Sequence, residues 1–326
     1  MGKVTLKDIA NELGVTVGTV SHVLNGIDDI SEETKLRVLE AARRLGYISN
    51  GLAASLRSGK TNTVAVIVPD ISNPHLAYQI KLIEDKMREL NYSVVILNTN
   101  EDEEIEYKAI TTACSRQVDG ILLCPCQKSL DNIKFLDKLD IPYALIGRFF
   151  EKFPTDYICA DDEKSGYLAG KFLIEKDCKN PIYVGAYRHI EAAARRFCGV
   201  RKAFAEHGIE LGDDRFVQTD TITGGNADII KSILDSGFSF DSVVAFSDVI
   251  AFEIAPQIKK LCDSYIPVVG FDAINSHLPL PFYNVSVGMI NNGWAASAAD
   301  IIIGKINGSR ETCREFIDVS LFEFNK

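Results

Sequence analysis

Between Thr16 and Asn25 the chain gathers three hydroxyls (Thr16, Thr19, Ser21), an imidazole (His22), a carboxamide (Asn25), the methyls of Val17 and the bare backbone of Gly18. Short groups of this kind donate and accept hydrogen bonds at close range. They suit reading a surface patterned in donors, acceptors and methyl groups. A second set follows short apolar runs further along: Asp70, Ser72 and Asn73 after 64–68, Arg148 after 143–147, Asp248 after 242–246, and Asp272 after 267–271. Ionised carboxylates accept from hydroxyls, Arg donates a planar fork and Asn does both. Brought to one cleft, these groups suit a neutral polyol, with His75, Phe149, Tyr187 or Phe271 as an aromatic cover for its apolar face.

The first set needs helices to present it. Thr5 is a good N-cap with Asp8 three residues on, and Leu6, Ile9, Ala10 and Leu13 form one apolar stripe before a turn at Gly14. Thr16 caps a second helix whose inward face is Val20, Val23 and Leu24, which leaves Val17, Gly18, Ser21, His22 and Asn25 outward. Ser31 with Glu32 and Glu33 starts a third helix, with Val38, Leu39, Ala42 and Leu45 inward and Gly46 as its stop. Three such helices make the smallest helix-turn-helix unit, in which the second helix lies in the major groove.

The second set needs strands. From Thr63 onward, apolar runs at 64–68, 94–97, 121–124, 143–147, 182–187, 242–246 and 267–271 alternate with helical patterns. Continuous apolar strands are buried on both faces, and helices between them make the sheets parallel. The expected fold class is an all-α helix-turn-helix module followed by α/β, with two doubly wound parallel-sheet subdomains. Ligands of open parallel sheets bind beyond the carboxyl ends of the strands, where the second set falls.

The order of residues in the first 56, V-T-L-x-D-I-A, G-V-T, T-V-S-x-V-L-N, then L-G-Y and N-x-x-A-x-x-L, closely resembles the lactose/galactose repressor family (LacI/GalR type). The resemblance implies a dimeric bacterial transcription regulator that binds operator DNA and is switched by a small effector. It implies a DNA-binding domain at 1–46, a hinge at 47–60, and an effector-binding and dimerisation domain at 61–326 that is similar to periplasmic sugar-binding proteins. One subdomain would comprise 61–160 with 291–320, the other 161–290 with 321–326. Operator contacts are implied for Thr5, Thr16, Val17, Gly18, Thr19, Ser21, His22, Asn25, Tyr47, Asn50, Ala53 and Leu56, and effector contacts for Asp70, Ser72, Asn73, Arg148, Asp161, Arg196, Asp248 and Asp272. Asn50 can cap a hinge helix too short to hold alone in water. Leu56 matches the leucine that the family wedges into the minor groove. Ser49 in place of Pro, Ala54 in place of Arg, Asp162 in place of Asn, and Tyr283-Asn284 in place of Thr-Thr depart from the family pattern.

Composition narrows the functional classes. Residues 1–60 carry a net charge of +1 and the rest of the chain −11, so DNA contact belongs to the N-terminal module. No apolar run reaches membrane-spanning length and no signal-peptide core precedes the module; a cytosolic protein is expected, whereas a secreted sugar receptor would show the reverse. The 8 cysteines are scattered, and Cys124-Pro125-Cys126 lacks a second pair at metal-site spacing, so idle thiols and no metal or cofactor are expected. The segment 55–61 ends like a phosphate-binding loop but has Ala54 where its first glycine belongs, and no catalytic motif is found elsewhere. No catalytic residue is therefore expected. The acids favour an unphosphorylated sugar or polyol as effector; a nucleobase, a nucleoside, a sugar phosphate held by Arg148 and Arg196, or a phosphorylated partner protein are the alternatives.

Overall fold

The computed structural model describes residues 4–24, 26, 27, 29–48, 59–219, 226, 228–278, 284–289, 293–309 and 311–324. Asn25, Asn50, Ala53, Leu56 and most of the expected hinge lie outside the described residues. The chain divides into two compact units, Met1–Thr61 and Asn62–Lys326.

The first unit holds α1 (Leu6–Leu13), α2 (Val17–Leu24) and α3 (Glu32–Leu45). Both the backbone N–H and the hydroxyl of Thr5 donate to the Asp8 carboxylate, at 2.8 and 2.7 Å, and these bonds hold that carboxyl below its usual range. Gly14 turns the chain at φ +67°, and Thr16 Oγ1 then accepts from the Thr19 N–H at 3.0 Å to start α2. Ile9, Ala10, Val20, Val23, Val38, Ala41 and Ala42 form the core, with Leu6, Leu13, Leu24, Leu45 and Tyr47 packed around it. Leu39, expected inward, is 50% exposed, and Ala41 takes its place. The inward positions 38, 41, 42 and 45 keep the spacing of one helical face, from which Leu39 is rotated by about 100° relative to Val38.

The second unit contains two sheets. The first is built from β1 (Thr63–Val68), β2 (Ser93–Asn98), β3 (Gly120–Leu123), β4 (Tyr143–Ile146), β5 (Tyr157–Ala160) and β11 (Arg314–Ile317), in the order β11-β5-β4-β3-β1-β2 and parallel throughout. The second is built from β6 (Pro181–Gly185), β7 (Phe216–Gln218), β8 (Ser242–Ala245), β9 (Val268–Phe271), β10 (Asn284–Met289) and β12 (Val319–Phe324), in the order β12-β10-β9-β8-β6-β7. Its β10–β12 pair is antiparallel. That departs from the expectation of parallel pairing alone, because β12 follows β11 after one residue, Asp318, and has no helical crossover to reverse it. Val319 and Ser320 pair with Met289 and Gly288, so these two residues belong to the second sheet and not, as expected, to the first subdomain.

Helices cover both sheets. On the first, α4 (Pro74–Glu89) and α11 (Gly293–Ile306) bury Ile80, Ile83, Ala298 and Ile302 against Val64 and Val66, while α5 (Glu103–Ser115) and α6 (Asp131–Leu136) bury Ile110 and Ile133 against Ile67 and Ile121. On the second, α7 (Asp162–Glu175) and α8 (Glu191–Ala205) cover one face, α9 (Ile229–Asp235) and α10 (Asp248–Leu261) the other. Strand order reverses between β1 and β3 in one sheet and between β6 and β8 in the other. A crevice opens at the carboxyl ends of strands beside such a switch point.

Candidate functional site

A cavity of about 140 Å³ lies among the carboxyl ends of both sheets. At its polar side stands Arg196 of α8. Its Nε donates to Asp162 Oδ1 at 2.8 Å, its Nη1 to the Phe246 carbonyl at 2.6 Å, and its Nη2 lies 3.7 Å from Asp272 Oδ1. The guanidinium carbon is 4.9 Å from the Phe246 ring centroid and 4.6 Å from that of Phe271, so two aromatic faces fix its plane. Burial alone would lower its pKa; the Asp162 and Asp272 charges outweigh that and raise it, which keeps Arg196 charged. Arg196 can stand here because α7 and α8 cross closely. A Cβ on Gly166 would lie 1.8 Å from the Arg196 carbonyl oxygen, and one on Gly199 2.0 Å from that of Glu163.

Asp272 reaches the site from a backbone bend. It and Ala273 adopt φ +93° and +47°, a region that costs L-residues conformational energy. Three successive amides pin the bend: Asp272 N–H donates to the Val287 carbonyl at 2.9 Å, Ala273 N–H to Ser286 Oγ at 2.9 Å, and Ile274 N–H to Asp248 Oδ2 at 2.8 Å. Asp248 was expected on the effector. The structure buries it at 0% exposure beneath the loop, with its pKa raised well above the usual range by burial and then by Asp272. It is a positioning residue for Asp272. Its place at the first position of α10, where Ser247 caps, turns the side chain under the sheet edge.

From the first sheet, Arg148 lines the cavity but is consumed by an acid that sequence reasoning missed. Its Nη1 and Nη2 donate to both Glu101 oxygens at 2.9 and 2.5 Å, and Nη1 also to the Pro125 carbonyl at 2.9 Å, with both partners under 10% exposed. Burial opposes the charge on Arg148, and Glu101 more than restores it, raising the pKa. Asp70 and Asn73 lie on the cavity wall. Asp70 Oδ1 accepts from the Ser72 N–H and hydroxyl at 2.9 and 2.6 Å, and Asn73 caps α4 through the His75 N–H at 2.9 Å. Ser72 and Asp161 do not reach the wall as expected. The Ser72 hydroxyl turns back to Asp70, and Asp161 caps α7 by accepting from the Lys164 N–H at 3.0 Å, so the next residue, Asp162, faces inward. Of the aromatic candidates, His75 lines the cavity. Phe271 supports Arg196 from behind, Phe149 stacks on Tyr157 at 4.4 Å, and Tyr187 on His189 at 5.5 Å. Phe246 and Trp294, neither among the aromatic candidates, supply the further aromatic wall.

Two sets of contacts bridge the subdomains at the cleft margins. On one, Gln127, held within its own subdomain by donating from Nε2 to the Phe149 carbonyl at 2.6 Å, accepts across the cleft at Oε1 from the Glu191 N–H at 3.2 Å, and Arg195 lies 3.3 Å from Glu151. On the other, His277 stacks on Tyr78 of α4 at 4.0 Å and 7°, with the His75 ring 6.3 Å away. Burial and then His75 push the His277 pKa down to about 4 against the opposing Asp272, and burial likewise lowers that of His75.

In the N-terminal unit, Thr5, Thr16, Val17 and Gly18 are exposed, and Thr19, Ser21, His22 and Tyr47 are half-buried. His22 Nδ1 lies 2.8 Å from Asp29 Oδ2, which orients the ring. Val17, Gly18, Thr19, Ser21 and His22 lie on α2, Thr16 precedes it, Thr5 precedes α1 and Tyr47 follows α3.

Residues 5–50 match the family described as bacterial regulatory proteins, lacI family, and residues 61–307 match periplasmic binding proteins and sugar binding domain of LacI family. The HTH-type transcriptional regulator DegA of Bacillus subtilis (strain 168) is 29% identical over 277 residues, 83% of this chain and 82% of that protein. A structure of the Lac repressor dimer bound to operator and the anti-inducer ONPF superposes with a TM-score of 0.83 at 18% identity, covering 98% of each chain. The transcriptional regulator CelR in complex with cellobiose superposes at 0.71 with 24% identity, again over 98% of each.

Proposed function

The chain belongs to the LacI family of bacterial regulatory proteins and is a DNA-binding transcriptional regulator, and from that premise we propose that it is a repressor that binds a palindromic operator as a homodimer and is switched by a small uncharged polyol, a sugar, in the cleft. The observation that carries the effector reading is the Arg196 clamp. Both cleft arginines are already engaged by carboxylates, and Asp70, Glu101, Asp162 and Asp272 outnumber Arg148 and Arg196 on the wall. A phosphate would have to displace an acid from each guanidinium and meet the remaining negative charge, whereas hydroxyls can donate to carboxylates such as Asp162 and Asp272. The cellobiose ligand of CelR and the ONPF ligand of the Lac repressor structure support a small organic effector of this kind. Operator reading falls to Val17, Gly18, Ser21 and His22 of α2, and the Leu56 segment, which lies outside the described residues, supplies the minor-groove wedge. The protein acts in the cytoplasm, where operator DNA is.

The test is a thermal-shift screen of sugars, sugar phosphates and nucleobases on the full chain, followed by operator binding with the ligand found. A ligand at 100 times its dissociation constant stabilises the second unit by about 2.7 kcal/mol. Asp272→Asn should cost about 2–5 kcal/mol of effector affinity, while operator binding without effector stays at the parent value. Stabilisation by phosphorylated sugars alone, or an undiminished response in Asp272→Asn, overturns the reading.

A further inference from the structure

One part of the cavity wall comes from α4, α11, the first sheet and the end of β10, and there it is apolar: Val68, Ile80, Ile83, Ile146, Ile158 and Met289. Two polar residues interrupt it, Gln79 on α4 and Trp294 on α11, whose Oε1 and Nε1 lie covered just beneath the wall. Both side chains are more than nine-tenths buried, at 8% and 5% exposure, and among the described residues neither atom has a hydrogen-bond partner. Buried donors and acceptors are almost always paired, and an unpaired one is a standing free-energy cost that a ligand can remove. At the rim, His75 Nδ1 is in the same condition.

A ring carrying hydroxyls on all sides does not fit this wall, since those turned to Ile80, Ile83 and Ile158 would lose their water without gaining a partner. An apolar substituent does fit, provided it brings an acceptor to the Trp294 N–H and a donor to the Gln79 carbonyl oxygen. We propose that the effector is a polyol carrying an apolar substituent with an amide-like edge, one C=O and one N–H. The polyol sits at Arg196, Asp162 and Asp272, and the substituent lies against α4 and α11, where Trp294 and Gln79 select it. This rests on the reading of the cleft as a polyol site. The acetamido group of an N-acylated sugar and the pyrimidine ring of a nucleoside share the required chemistry.

The sole tryptophan stands in this wall, so intrinsic tryptophan emission reports from the cleft itself. The experiment titrates the full chain with matched pairs, D-glucose against N-acetyl-D-glucosamine and D-ribose against uridine, following emission and thermal shift. The amide-bearing member of one pair should bind at least tenfold tighter than its bare partner and change the emission; which pair responds identifies the source of the edge. In Gln79→Leu and in Trp294→Phe, read by thermal shift, that ratio should fall to within about twofold of unity, with unchanged far-ultraviolet circular dichroism and cooperative melting as the check on folding. Bare polyols that bind as tightly as their partners, or a ratio that survives both substitutions, overturn the substituent site and leave the polyol reading standing. Failure of every probe to bind at 10 mM overturns both.

Discussion

At the scale of single residues, the cleft is organised by charges that satisfy one another before any ligand arrives. Glu101 and Arg148 are both under 10% exposed, and each is the other's main compensation. Removing one partner of a buried pair leaves an uncompensated charge and typically costs about 3–5 kcal/mol, whereas neutralising both is nearly free. Arg148→Met should therefore destabilise the second unit by about that amount in urea denaturation. The double variant Arg148→Met with Glu101→Gln should recover most of the loss. A single-variant cost below about 1 kcal/mol, the range of exposed pairs, would show that the pair is solvated. Asp248 teaches the same lesson from the other side: an acid at a strand end need not face the ligand. Here it holds the strained Asp272–Ala273 bend in place through the Ile274 amide.

At the scale of elements, the decisive contact is the crossing of α7 and α8. Gly166 leaves room for the Arg196 backbone, and a Cβ there would meet the Arg196 carbonyl carbon at 2.6 Å and its oxygen at 1.8 Å. Backbone atoms cannot swing aside, so the helices must separate. Gly166→Ala should destabilise the unit by at least about 1–3 kcal/mol, the usual range for overpacking, and should weaken effector binding further because Arg196 itself is displaced. Gly170→Ala, whose added Cβ would meet Ala203 Cβ at 2.8 Å, should cost less on both counts. Chemical denaturation and effector titration of the two variants decide it. Equal effects would mean that the crossing is a generic packing site with no special link to Arg196.

At the scale of the whole second unit, the chain passes between the two sheets beside Asp161, after Met289 and at Asp318, and side chains bridge the cleft on both margins. His277 gives one margin a pH dependence. Its folded pKa of about 4 lies below the ordinary imidazole value of 6.5, so between those values the unfolded chain binds more protons than the folded one. The contribution of His277 is fully present above about pH 6.5 and is lost as pH falls towards 4. The groups facing it are Tyr78 and His75 from α4 and Asp272 from its own subdomain, with His75 shifted in the same direction. His277→Phe keeps a ring against Tyr78 and removes the titration. Between pH 7 and 4.5 the parent melting temperature should fall further than that of the variant, by on the order of 2–4 °C, discounted for partial solvent screening of the imidazole. Parallel pH profiles would place the acid sensitivity elsewhere.

The three-helix unit was legible in the sequence because its determinants are local. A cap at Thr5, a turn at Gly14, a second cap at Thr16 and apolar positions at helical spacing each act within a few residues, and among the described residues only Leu39 was placed on the wrong face. Strands β1, β2, β3, β4, β6, β8 and β9 were legible for the same reason, as unbroken apolar runs. The interior strand β5 and the edge strands β7, β11 and β12 were not. They are short or interleaved with charged residues, and what makes them strands is a neighbour far away in the chain, as when Arg314–Ile317 pairs with Tyr157–Ala160. The candidate site divides along the same line. Sequence pattern brought Asp70, Asn73, Arg148, Arg196 and Asp272 to the strand and helix ends that line one cavity. Whether a given acid faces that cavity, caps a helix or lies beneath a loop depends on which way one turn of backbone points, and this separated Asp272 from Asp248 and Asp162 from Asp161. The partners Glu101, Gln79 and Trp294 carried no local signal of their role, because a cavity wall is made by segments more than two hundred residues apart and exists only once the two sheets have folded.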